Sequence, residues 1–172
     1  MTTSAAPRSI TIEHVVIASN QPYDKVCEGL ASRLGSAETW RETEQRLHAL
    51  AAAHASWDEV TEAIERNLGT SDLTLFYAIE HTPLLTLAGK TSRAIQYTVG
   101  NPLLATQMSR LQPEVALYAP LHFVVYQDEA GKTFVAYDRF ASLLAQYQRE
   151  EITRVAQIVE QKLEALLTAV TQ

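Results

Sequence analysis

The chain has 172 residues, 47% apolar and 20% charged, a balance that suits a folded globular protein and excludes a disordered one. Its formal charge of −6, with 14 Lys and Arg against 20 Asp and Glu, argues against nucleic acid as a partner, because phosphate binding needs clustered cations. No apolar stretch approaches the ~20 residues of a membrane-spanning helix, so no membrane association is expected.

Residues 1–8 lack the charged and apolar regions of a secretory signal and read as a disordered tail. The one cysteine, Cys27, excludes an internal disulfide and fits a reducing, cytoplasmic setting. Residues 9–172 are expected to form one α+β domain. Residues 9–18 are rich in β-branched side chains, with Ile10, Ile12 and Val16 on one face and Val15 and Ile17 on the other. That pattern predicts a first strand, buried on both faces near its end. Ser19-Asn20-Gln21-Pro22 then opens a helix with Tyr23, Val26, Cys27, Leu30 and Leu34 at helical spacing, closed by Gly35 at C′. Two more helices are expected over 36–69. Ser36 starts the first, which carries Trp40, Leu47 and Ala51 on one side. Ser56 and Glu59 form a capping box for the second, whose stripe of Trp57, Val60, Ile64 and Leu68 ends at Gly69. Both tryptophans fall in this pair, which should pack on the sheet or on a second subunit.

Residues 73–79 alternate as a strand, 83–88 read as a shorter one, and Gly89-Lys90-Thr91-Ser92 turns the chain into another over 93–99. The junction that follows is the most informative in the chain. Alternation stops at Gly100, Asn101 is of the N-cap type, and Pro102 suits the first helical position, where its missing N–H would have no intrahelical partner. A helix runs on to about residue 111. Pro113 and Pro120 bracket an irregular segment or single helical turn, and 121–126 with 133–137 read as a hairpin whose loop offers Gly131 for a positive φ. From Arg139 onward the chain is helical: a piece with Phe140, Leu143, Leu144 and Tyr147, then a long amphipathic helix with Ile152, Val155, Val159, Leu163, Leu166 and Val170. Strands in succession predict an α+β fold, with about six strands in one sheet.

Chemistry-bearing residues form no established motif. His48 and His54 lack the i, i+4 spacing that sets two ligands on one helix face, and no metal or cofactor is expected. Cys27 occupies an apolar helical position, where a thiol acts as a small hydrophobe. Neither a Gly-x-Ser-x-Gly elbow nor a phosphate loop occurs. Glu80, His81, Asp138 and Arg139 stand at strand ends, as acid–base candidates or as plain hydrophilic terminators. Asn101 is either an N-cap or, with the backbone N–H groups after it, a holder of a small anion. Tyr97, Tyr118, Tyr126 and Tyr137 fall in or beside sheet segments, where aromatic side chains can line a pocket. The ligand-binding candidates are Tyr97, Asn101, Tyr118 and Tyr126.

Three pieces of sequence together resemble a family of bacterial and archaeal proteins called domain of unknown function 302. They are the strand and helix of 11–34, the Tyr97-Thr98-Val99-Gly100-Asn101-Pro102 junction with its helix, and Leu117-Tyr118-Ala119-Pro120-Leu121 leading through Val124-Val125-Tyr126 to the strand at 133–138. The resemblance implies one mixed sheet backed by helices and a tendency to form homodimers; it implies no activity. Against the family's compact pattern, 36–69 reads as a helical insertion and the C-terminal helix as an addition. Three functional readings follow. The leading one is a non-enzymatic homodimer that binds a small, partly apolar ligand or a partner on one sheet face. A second is an enzyme with Glu80, His81 and Asp138 gathered round the Gly100-Asn101-Pro102 corner. In the third, the helices at 36–69 and 149–170 serve as a protein-interaction module.

Overall fold

A computed structural model describes residues 6–172. Most of the expected tail therefore lies outside the described residues; 6–8 are exposed and carry no regular structure. Among the described residues there are five strands: β1 (His14–Ala18), β2 (Thr74–Glu80), β3 (Arg93–Gly100), β4 (Leu121–Gln127) and β5 (Thr133–Asp138). Seven helices accompany them: α1 (Tyr23–Ala31), α2 (Ala37–Ala52), α3 (Trp57–Glu65), α4 (Thr82–Leu87), α5 (Pro102–Ser109), α6 (Phe140–Leu144) and α7 (Glu150–Thr171). None of these helices is long and apolar enough to cross a membrane.

The strands form one sheet in the order β1-β5-β4-β3-β2, and every pairing between them is antiparallel. This corrects the mixed sheet of about six strands. The missing strand is the expected one at 83–88, which is α4 instead. Pro83 pre-sets a helical φ and cannot donate to a ladder, and Leu84, Leu85 and Leu87 do not alternate. The helix closes on Gly89, whose φ of +77° is the left-handed conformation a C′ residue needs. Gly89 N–H donates to Thr86 O and Lys90 N–H to Leu85 O, at 3.0 and 2.9 Å, the paired bonds of a Schellman motif.

Register sorts the sheet into two unlike faces. Leu121, Phe123 and Val125 of β4 share the core face with Tyr97 and Val99 of β3 and with Val135 and Tyr137 of β5. α1 and the apolar stripe of α7 (Ile152, Ala156, Val159, Leu163, Leu167) complete this core. The other face carries Val16, Ala136, Phe134, Val124, Tyr126 and Tyr77 and stays open, with Val16 50% and Tyr77 54% exposed. β1 is an edge strand buried on one side only, which corrects the expectation of burial on both faces; Val15 and Ile17 turn inward and His14, Val16 and Ala18 outward.

α1 ends at Ala31 with Ser32 as its C-cap, so Gly35 is not its C′ residue, and α3 likewise stops before Gly69. Both glycines serve a backbone crossing. A Cβ on Gly35 would lie 1.7 Å from Asn67 O, and one on Gly69 would lie 2.1 Å from Arg33 O. Both N–H groups donate to Leu73 O, at 2.9 and 3.1 Å, just before β2 begins. Between these two points the chain makes the α2–α3 hairpin.

Candidate functional site

The strand-to-helix junction after β3 is built as its residues dictate. Asn101 Oδ1 accepts from the N–H groups of Leu103 and Leu104, at 3.0 and 3.2 Å, and Pro102 fills the first helical position of α5. Asn101 Nδ2 donates to Asp72 O at 3.1 Å, tying the corner to the chain ahead of β2. Every polar atom of this buried side chain thus has a partner. The helix-start donors that an anion would need are engaged by the cap.

Behind the corner lies a cavity of about 250 Å³. Met108 of α5, Phe140 of α6 and Val159 of α7 form its floor and belong to the buried core. Trp40 of α2 and Phe76 of β2 close one side, meeting edge to face with ring centroids 4.7 Å apart. Pro120 closes another, after a cis Ala119–Pro120 bond. A Cβ on Gly100 would come 3.1 Å from Phe76 Cε2, so glycine here lets the aromatic wall approach the strand. The polar lining is sparse: Asn101 is spent on the cap, the Thr106 hydroxyl donates to Pro102 O at 2.8 Å, and Ser109 adds one more hydroxyl. Such a hollow suits a mainly apolar occupant.

Two sequence motifs meet here because β3 and β4 are antiparallel. Val99 pairs with Leu121, which sets Gly100-Asn101-Pro102 against Ala119-Pro120-Leu121. Of the four candidate binding residues, Asn101 alone lines the cavity. Tyr97 is on the core face, stacked on Phe123 with centroids 5.0 Å apart. Tyr126 is on the open face, stacked on Phe134 at 5.2 Å. Tyr118 lines a separate surface hollow with Leu117, His122 and Asp138. The tyrosines therefore do not converge. The aromatic lining consists of Trp40, Phe76 and Phe140, which the sequence presents as ordinary packing residues. Trp40 had the one available signal, as a tryptophan on a helix expected to pack on something substantial.

The acid–base candidates also stand apart. Register runs from Glu80 through Ile95 and Val125 to Val135, so Asp138 lies three strands across and three residues along, roughly 18 Å away. Glu80 and His81 are at the opposite end of the sheet from the Gly100 corner. Asp138 Oδ1 holds His14 Nδ1 at 2.7 Å, and the second strand histidine, His122, has its Nδ1 on Thr98 Oγ1 at 3.1 Å. Arg139 binds Glu160 at 2.9 Å, Glu164 at 3.2 Å and Glu13 at 3.3 Å. Nearby, burial and then the Glu164 charge push the Tyr137 phenol up to about 12. On the core face, burial also raises the Cys27 thiol, which adjoins the Tyr23 and Tyr97 hydroxyls. Among the described residues, no three His, Cys, Asp or Glu side chains gather closely enough to hold a metal ion.

A family model described as "Domain of unknown function DUF302" matches residues 48–170. The span runs from the end of α2 through α3 and β2 to nearly all of α7, so the C-terminal helix and the 48–69 part of the expected insertion lie inside the family's pattern and are not additions to it, whereas the strand and helix of 11–34 lie outside the match. Among solved structures, the crystal structure of an uncharacterized conserved protein DUF302 from Bacillus stearothermophilus is similar in fold. It aligns with a TM-score of 0.61 at 16% identity, covering 91% of this chain and 97% of that one. No curated protein matches the chain.

Proposed function

We propose that this chain, which belongs to the DUF302 family, binds a small, predominantly apolar molecule in the cavity behind the Gly100-Asn101-Pro102 corner. The observation that carries the reading is the hollow itself, walled by Trp40, Phe76, Phe140 and Pro120. The hollow opens to solvent and its lining is mostly apolar with a few polar groups, the usual make-up of a small-molecule site. A volume of about 250 Å³ lies just below the range of drug-sized sites and so suits a smaller occupant, such as an eight-carbon chain or a small ring system. An occupant of that size gains about 4–5.5 kcal/mol, a Kd of about 0.1–1 mM. Octan-1-ol titrated by calorimetry, with Trp40 fluorescence as a second readout, tests this. Ala105→Phe should fill the cavity and abolish binding while the thermal midpoint is retained. The reading fails if wild type shows no heat or if Ala105→Phe binds equally well.

A second reading, self-association as a homodimer, is supported by the open sheet face, where Val16 and Tyr77 are exposed beside the stacked Tyr126–Phe134 pair. Sedimentation equilibrium should find a dimer that Val16→Lys converts to monomer; a monomeric wild type ends this reading. The free Cys27 supports a cytoplasmic setting, and one hydrophobic cluster joining strands to helices supports reading 9–172 as one domain. An acid–base enzyme at the corner lacks support, since Glu80 and His81 stand at the other end of the sheet.

A further inference from the structure

We infer that the occupant is an amphipathic monoanion, its apolar body in the corner cavity and its charged head at Arg110 in the adjoining cleft; this rests on the binding reading above. α5 presents two lined faces. Pro102, Ala105 and Ser109 look into the corner cavity, whereas Leu103, Gln107 and Arg110 line a second hollow of about 500 Å³. At about 100° per residue these are adjacent faces of one helix, and Thr106, lying between them, lines both. The α2–α3 hairpin borders the pair, with Trp40 at the first hollow and Trp57 and Thr61 at the second.

Polarity changes across Thr106. On the cavity side the Asn101 and Thr106 side chains are already bonded to backbone. On the other side stand Thr61, Gln107 and Arg110. Arg110 holds no carboxylate among the described residues, a state it shares with Arg33, Arg41, Arg46, Arg149 and Arg154, but of these it is the one that lines the hollow next to the corner cavity. The hollow thus offers one guanidinium with its fork of donors, together with an amide and a hydroxyl. That set matches a carboxylate, which a guanidinium can grip through two parallel bonds. A neutral molecule would leave the cation unused. A multiply charged phosphate would call for more than one cation, in a chain whose net charge is −6.

The test compares octanoate, octan-1-ol and octylammonium by calorimetry on the full chain and on Arg110→Gln, at low and high salt. Octanoate should bind about tenfold more tightly than the alcohol, and octylammonium more weakly than either. High salt should shrink the octanoate preference. Arg110→Gln should erase that preference while alcohol binding is unchanged, which also shows that the variant is folded. If the alcohol binds but octanoate is no tighter, or if the preference survives in Arg110→Gln, the head-group assignment is wrong and the cavity reading stands. Equal weakening of both ligands by Arg110→Gln assigns Arg110 a structural part and overturns the inference. If no probe binds wild type, both readings fall.

Discussion

Asn101→Ala removes three hydrogen bonds at the corner: those from the N–H groups of Leu103 and Leu104, and the one given to Asp72 O. Loss of an N-cap costs about 1 kcal/mol. The bond to Asp72 adds about 1 kcal/mol, and it matters further because Asp72 is held at a φ of +56°, where few L-residues sit comfortably. Truncating a side chain that is only 8% exposed leaves a small void as well. The total is about 2–3 kcal/mol, which in a chain of this length lowers the thermal midpoint by about 5–10 °C. Asn101→Asp keeps the acceptor and places negative charge at the helix start, but forfeits the donor to Asp72. It should lose about 1 kcal/mol, roughly half the alanine effect or less. Calorimetric melting and urea unfolding measure both variants. The reasoning is refuted if Asn101→Ala melts within about 2 °C of wild type. It is equally refuted if the aspartate variant is as unstable as the alanine one, since the cap would then contribute nothing.

Three further outcomes are expected. Gly69→Ala, whose Cβ would sit 2.1 Å from Arg33 O, should cost more than about 3 kcal/mol and reduce the yield of folded protein; a near-wild-type melt would show that the two segments can separate. Glu160→Ala leaves the Ala141 N–H without its acceptor at 2.9 Å, while Arg139 keeps Glu164 and Glu13, and should cost about 1–3 kcal/mol, read by urea denaturation. The Tyr137 proton is held until about pH 12 instead of 10, so its stabilising contribution is complete below pH 10 and disappears as pH rises through 12. Wild type should therefore lose ground to Tyr137→Phe over that window in parallel alkaline unfolding curves, and parallel curves without divergence would count against it.

Local chemistry made the helix starts legible. Ser36, the Ser56–Glu59 capping box and Asn101-Pro102 all cap the helices that follow them, and Gly131 takes a positive φ in the hairpin loop. Residues 83–88 misled because three leucines in six positions fit a strand as easily as a helical turn; the deciding signals were Pro83 ahead and Gly89 behind. Gly35 and Gly69 look like helix stops in the sequence because their true constraint, a neighbouring backbone, comes from segments distant in the chain. The single-sided burial of β1 follows from the open outer face of the whole sheet, which the residues of one strand do not encode. Tyrosine alternation indicates that side chains share a face, but register alone decides that Tyr97 and Tyr126 point to opposite ones. The cavity was illegible for a related reason. Trp40, Phe76, Met108, Phe140 and Val159 come from five separate elements, and an apolar side chain looks the same in sequence whether it fills a core or borders a hollow.

The crossing at Gly35 and Gly69 has a topological consequence. Both residues hang on one carbonyl, that of Leu73, so the two tryptophan-bearing helices leave the body and rejoin it at a single doorway. An excursion with coincident ends can be lengthened, trimmed or replaced at little entropic cost and without rerouting the strands on either side. Relatives that share this sheet can therefore differ most in that loop, and whatever roof it places over α5 is free to vary while the corner beneath stays put.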